Sequence, residues 1–118
     1  MARDPKEIMK DLKNGAVKLS QVDSARMTAW NGLSQAAFKG GALDAKTKEL
    51  IAASLGLAAR CDYCIVHHVY EALKEGATRE ELIEAAFTTI GMSGGPSVTY
   101  AATLYMDSVE AFAPEFGK

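Results

Sequence analysis

Apolar residues return at helical spacing through most of the chain, few positions favour strands, and the residues that stop or start a helix fall at helical lengths. An all-α fold of about six helices follows. Asp4 before Pro5 places a cap and a first-turn proline at the start of a helix running toward Leu19. Ser20 to Asp23 restart a second helix through Met27, Trp30, Leu33 and Ala37, which Gly40 and Gly41 stop. Asp44 caps a third, whose Leu50, Ile51, Leu55 and Leu57 carry it to about Ala59. A fourth starts near Cys61, passes Val66 and Leu73, and ends at Gly76, a residue type that accepts the left-handed turn after a helix. Thr78 and Glu81 form a capping box for a fifth, with Leu82, Ala85, Ala86 and Ile90 on one face. Gly94, Gly95 and Pro96 break the chain before a sixth through Tyr100, Leu104, Tyr105 and Val109.

The 118 residues, 48% of them hydrophobic, suit one domain, residues 1–118, with a modest core. Thirteen Lys+Arg against fifteen Asp+Glu are interleaved, so no cationic face exists to neutralise phosphates, and a nucleic-acid partner is not expected. The longest apolar stretch, Ile51 to Ala59, falls far short of the roughly 20 residues that span a bilayer, and no apolar segment follows Met1, Ala2, Arg3, Asp4 and Pro5. The expectation is a cytoplasmic protein without a membrane role. In a reducing compartment a close cysteine pair points to catalysis or metal rather than to a structural staple.

That pair is Cys61 and Cys64, with His68 four residues beyond. At about 100° per residue, Cys64 lies about 60° and His68 about 20° behind Cys61 around the helix, so all three share a face. His67 sits about 120° away and points off that stripe. Thiols at i and i+3 near a helix start can close a disulfide, and the free amides of the first turn together with Arg60 favour a thiolate. An ordinary thiol is mostly protonated at neutral pH, and His68 is placed to act as its base. In an antiparallel hairpin turning near Arg60, Glu49 stands roughly 15 Å up one arm and His68 roughly 11 Å up the other, heights that permit a direct or water-bridged contact. Ala53 and Gly56 share the Glu49 stripe, and their small size lets the two helices approach.

Glu49, an eleven-residue gap, Cys61-Asp62-Tyr63-Cys64, three residues and His68, followed by Gly76, Thr78 and Glu81, resemble the signature of the alkylhydroperoxidase-D-like branch of the carboxymuconolactone decarboxylase family. The likeness runs from about Asp44 to Ala111, with Gly94-Gly95-Pro96 resembling the family's turn before its last helix. It implies an all-helical fold assembled as a trimer or hexamer. It also implies a thiol peroxidase or disulfide reductase of peroxiredoxin type, active in antioxidant defence without a bound cofactor. Cys64 would attack the hydroperoxide, Cys61 would resolve the product, His68 would accept the proton and Glu49 would relay it. The reductant would be an external dithiol, such as a lipoyl group on a partner protein. Spacing alone leaves the cysteine roles open, because in other CxxC helices the first cysteine is the attacking one.

Rival readings remain at this stage. Zinc needs four ligands, and Cys61, Cys64 and one histidine leave the set incomplete. Haem attachment requires histidine directly after the second cysteine, where Ile65 stands. A lactone decarboxylase would use His68 and Glu49 and leave the cysteines incidental; a redox-sensing module would use the disulfide without turnover. Tyr63, Tyr70, Tyr100 and Tyr105 read as core or interface, or as lining for an organic peroxide. Trp30 and the five methionines read as core or subunit contact. Lys46 and Lys48 read as a solvated helix face.

Overall fold

The computed structural model describes residues 3–118; Met1 and Ala2, and the leader reading that rested on them, lie outside the described residues. The chain runs through α1 (Pro5–Val22), α2 (Ser24–Phe38), α3 (Ala45–Ala59), α4 (Asp62–Lys74) and α5 (Arg79–Ser93). A last rod follows, made of α6 (Gly95–Tyr100), a π-helical turn (Ala101–Tyr105) and α7 (Met106–Phe112), closed by a 3-10 turn (Ala113–Phe116). No strand occurs among the described residues. The expected all-α architecture stands, with the sixth helix drawn out into that composite rod.

Local chemistry accounts for the boundaries. Asp23 accepts from the Arg26 amide at 3.0 Å and Asp44 from the Thr47 amide at 2.8 Å, each filling a free donor of a first turn. The Thr78–Glu81 capping box is complete in both directions. Asp4 opens α1 through the fixed backbone of Pro5, without a side-chain bond. Ser20 stays inside α1, its hydroxyl donating to the Ala16 carbonyl, so the break before α2 is the single residue Asp23. Gly76, at φ +102°, makes the left-handed turn that ends α4.

The core gathers around α4. Ile65, Val66, Val69 and Ala72 are fully buried there, against Ala53 and Leu57 of α3, Leu82 of α5 and Val109 of α7. The α3–α4 hairpin is the most extensive helix pairing in the molecule. The π-helical turn ends on Tyr105, which is wholly buried; its hydroxyl donates to the Leu82 carbonyl, and burial pushes its pKa far above the ordinary phenol range. Tyr70 packs edge-on against Phe112 and Phe116. α1 contributes Ile8 and Met9 to the core, whereas α2 buries no residue at all. Trp30 is therefore a surface residue, 59% exposed, and of the methionines Met9 lies in the core and Met92 is open to solvent.

Candidate active site

The turn between α3 and α4 sets the site. Arg60 adopts the left-handed conformation, and the Cys61 amide closes back on the Gly56 carbonyl at 3.0 Å. That closure leaves Cys61 as the cap of α4, its sulfur accepting from the Cys64 amide at 3.3 Å. Cys61 and Cys64 are joined as a disulfide, their Cα atoms 5.2 Å apart, and both are half-buried. The pair sits at the first turn of α4, and Arg60 directly precedes it in sequence, a setting that favours a thiolate once the bond is reduced.

Close helix approach brings α3 onto this turn. A Cβ at Gly56 would lie 2.9 Å from Cys64 Cβ and 3.2 Å from both the Cys64 carbonyl carbon and the Ile65 amide nitrogen, so no side chain fits there. Two turns back along α3 stands Glu49, a buried carboxylate, and its Oε2 lies 3.2 Å from Nδ1 of His68. The small residues thus do what the sequence predicts: with Ala53 wholly buried and Gly56 bare, the backbones meet at Cys64 and the side chains meet at His68. With Glu49 ionised, Nδ1–H donates to Oε2 and the Nε2 lone pair stays free to accept a proton. The disulfide and the Glu49–His68 pair are separated by one turn of α4, about 6 Å of rise.

Two rings meet that of His68, and the first was not legible in the sequence. Phe38, the last residue of α2, stacks on its imidazole with ring centroids 5.3 Å apart and planes 11° from parallel. His67 meets it edge-on at 4.7 Å. Although His67 points off the cysteine stripe, burial lowers its pKa below the ordinary 6.5, helped by the neighbouring His68 and opposed by Glu71 and Glu49. Lys48, read as solvated, instead donates from Nζ to the carbonyls of Ala37 and Lys39 at 3.0 and 2.6 Å. Lys46 likewise reaches Glu81, at 2.9 Å. A helix-end aromatic carries no periodic signal, and a lysine that caps another helix looks like any surface lysine until the helices are placed.

A groove of about 780 Å³ runs between α1 and α2 and includes Tyr63 in its lining; others of about 430 and 170 Å³ lie along α5. Arg3 donates to the Tyr63 hydroxyl at 3.2 Å. Among the described residues no group of three or more His, Cys, Asp or Glu is arranged to hold a metal ion.

The same organisation recurs in known proteins. An uncharacterised protein of Cupriavidus necator is 38% identical over 113 residues, spanning 94% of this chain and all of its own length. The crystal structure of a carboxymuconolactone decarboxylase family protein from Legionella pneumophila is 43% identical and superposes with a TM-score of 0.85 over 99% of this chain and 100% of that one. A Thermotoga maritima protein of the same family, with a suggested part in the antioxidative response, is 26% identical, with a TM-score of 0.74 over 93% of this chain and 96% of its own. The model of that family matches residues 25–107, which take in the cysteine pair, His68 and Glu49. The chain belongs to the carboxymuconolactone decarboxylase family.

Proposed function

We propose that the protein is a thiol-dependent peroxidase and disulfide oxidoreductase in which Cys64 and Cys61 cycle between dithiol and disulfide. The observation that carries this reading is the Cys61–Cys64 disulfide at the start of α4, with the buried Glu49–His68 pair one turn behind it. In the reduced protein, Cys64 loses its proton to Nε2 of His68, while Glu49 holds Nδ1 and offsets the imidazolium charge. The Cys64 thiolate attacks the terminal oxygen of a hydroperoxide, the O–O bond breaks, and the departing alkoxide takes the proton from His68. Cys64 is then a sulfenic acid; Cys61 condenses with it, releasing water and forming the disulfide. An external dithiol, for which a lipoyl group on a partner protein is a suitable class, restores the pair by exchange and leaves as its own disulfide.

Cys64 is assigned the peroxide and Cys61 the reductant because Cys64 is the cysteine nearer along α4 to His68. A reducing cytoplasm would keep the dithiol available. The apolar surface left open on α2 and α5, including Trp30, Leu33, Phe87 and Met92, supports a homo-oligomer; the family resemblance implies a trimer or hexamer, whose mass light scattering would give.

The test is consumption of an alkyl hydroperoxide with dihydrolipoamide, alongside a count of free thiols before and after one equivalent of peroxide. Wild type should lose two thiols per chain and turn over. Cys64→Ser and Cys61→Ser should abolish turnover, and His68→Ala should slow it by about a hundredfold or more. Lactone decarboxylation that survives both cysteine substitutions, or a disulfide that forms without turnover, would overturn the proposal in favour of a lyase or a redox sensor.

A further inference from the structure

The end of α2 meets the body of the protein at the relay histidine and at Lys48 of α3. None of its residues is buried, yet its last residue, Phe38, lies flat on the His68 ring. Its terminal carbonyls, those of Ala37 and Lys39, receive both of the hydrogen bonds donated by the Lys48 ammonium. Lys48 is adjacent in sequence to Glu49, so a single turn of α3 supplies the carboxylate that holds Nδ1 and the cation that holds the aromatic cover. Three contacts then restrain one ring: Glu49 in its plane, Phe38 on its face and His67 from the edge.

We infer that Phe38 is a positioning residue for His68 and that Lys48 is the clip that keeps it there, an inference that rests on the relay role given to His68 above. A hydrogen bond at Nδ1 alone leaves the imidazole free to rock about that bond, which swings Nε2 away from the thiol it must deprotonate. A parallel aromatic ring removes that freedom, because tilting the imidazole drives it into the phenyl face. It also shields the Glu49–His68 bond from water, which strengthens that bond. Without the clip, the last carbonyls of α2 turn to solvent, the helix end frays and the cover is lost.

The test uses the full-length reduced protein. The His68 ring protons nearest Phe38 should show a ring-current shift in NMR spectra. Phe38→Leu, which keeps apolar bulk without the aromatic face, should abolish that shift and slow both cysteine alkylation by iodoacetamide and hydroperoxide turnover by about tenfold. Phe38→Tyr should restore all three. Lys48→Met should reproduce the Phe38→Leu effects, and the double variant should be no worse than Phe38→Leu, because both changes remove one contact. Far-ultraviolet circular dichroism checks that the helices persist, as expected for an arm that buries nothing. Additive losses, or a Phe38→Leu protein with unchanged ring shift and alkylation rate, would overturn the inference. If wild type consumes no hydroperoxide but shift and alkylation respond as described, the positioning stands and the peroxidase reading fails; the converse result sinks the positioning alone.

Discussion

The α3–α4 hairpin and the α1–α2 arm are each two consecutive helices joined by a short turn, and they are built on opposite terms. In the hairpin, backbone meets backbone at Gly56 and Cys64, Ala53, Leu57, Ile65 and Val66 are sealed, and a carboxylate and an imidazole are paired between the helices. In the arm, α2 buries nothing, Gly32 has open space where a side chain would go, and Leu33 is 63% exposed. The contrast teaches where precision is spent. Burial and close approach concentrate where two sulfurs, a histidine and a glutamate lie together. The arm meets that group through Phe38, stacked on the His68 ring.

Core truncation should separate the two regions most. Leu57→Ala, at a fully buried site, should cost about 2–5 kcal/mol in urea unfolding. Leu33→Ala should stay within about 0.5 kcal/mol in dilute samples, and lower only the concentration dependence of stability if a second copy covers the arm. Equal losses would erase the distinction. The glycines sharpen it further. Gly56→Ala forces a Cβ into Cys64, at a cost of about 1–3 kcal/mol that exceeds the helix-propensity gain, whereas Gly32→Ala meets no atom within 4 Å and should stabilise by up to about 1 kcal/mol. Urea midpoints of the two variants should therefore move in opposite directions.

The smallest effect concerns His67, which sits where the two regions meet: Glu49 on α3, Glu71 and His68 on its own helix, and Lys13 on α1 all act on it. Its folded-state pKa lies below the unfolded value of 6.5, with burial the main cause. The unfolded chain therefore takes up the proton first as pH falls. Its contribution is fully present above about pH 6.5 and is lost as pH drops from there through the folded pKa. Between pH 7.5 and 5.5, Tm should decline less in His67→Gln than in wild type. A parallel decline in both would remove His67 as the source.

Much of the scaffold was legible from residue order because its signals are local. Asp23, Asp44, the Thr78–Glu81 box and Gly76 act on amides or dihedrals within a few residues, and each stands where its chemistry required. The pairing of Glu49 with His68 was within reach because one tight turn and two small residues define the hairpin almost completely. Phe38 and Lys48 were not, since their partners are 30 and nine to eleven residues away across a boundary that no periodicity encodes. Trp30 reads as core or subunit contact by its chemistry and stands on the surface of this chain, because the helix that carries it meets few neighbours within it.

By itself, then, the order of residues determined the helices, their caps, the spacing of Cys61, Cys64 and His68 on one stripe, and the glycine that permits close approach. Those features follow from the helical period and from steric exclusion at one backbone atom, both short-range effects. Tertiary structure alone decided that Glu49 is buried with its oxygen on Nδ1, that Phe38 covers the ring, and that Lys48 closes a foreign helix end. Each of these depends on where whole helices come to rest, and that is settled by the packing of the entire core rather than by any segment of it.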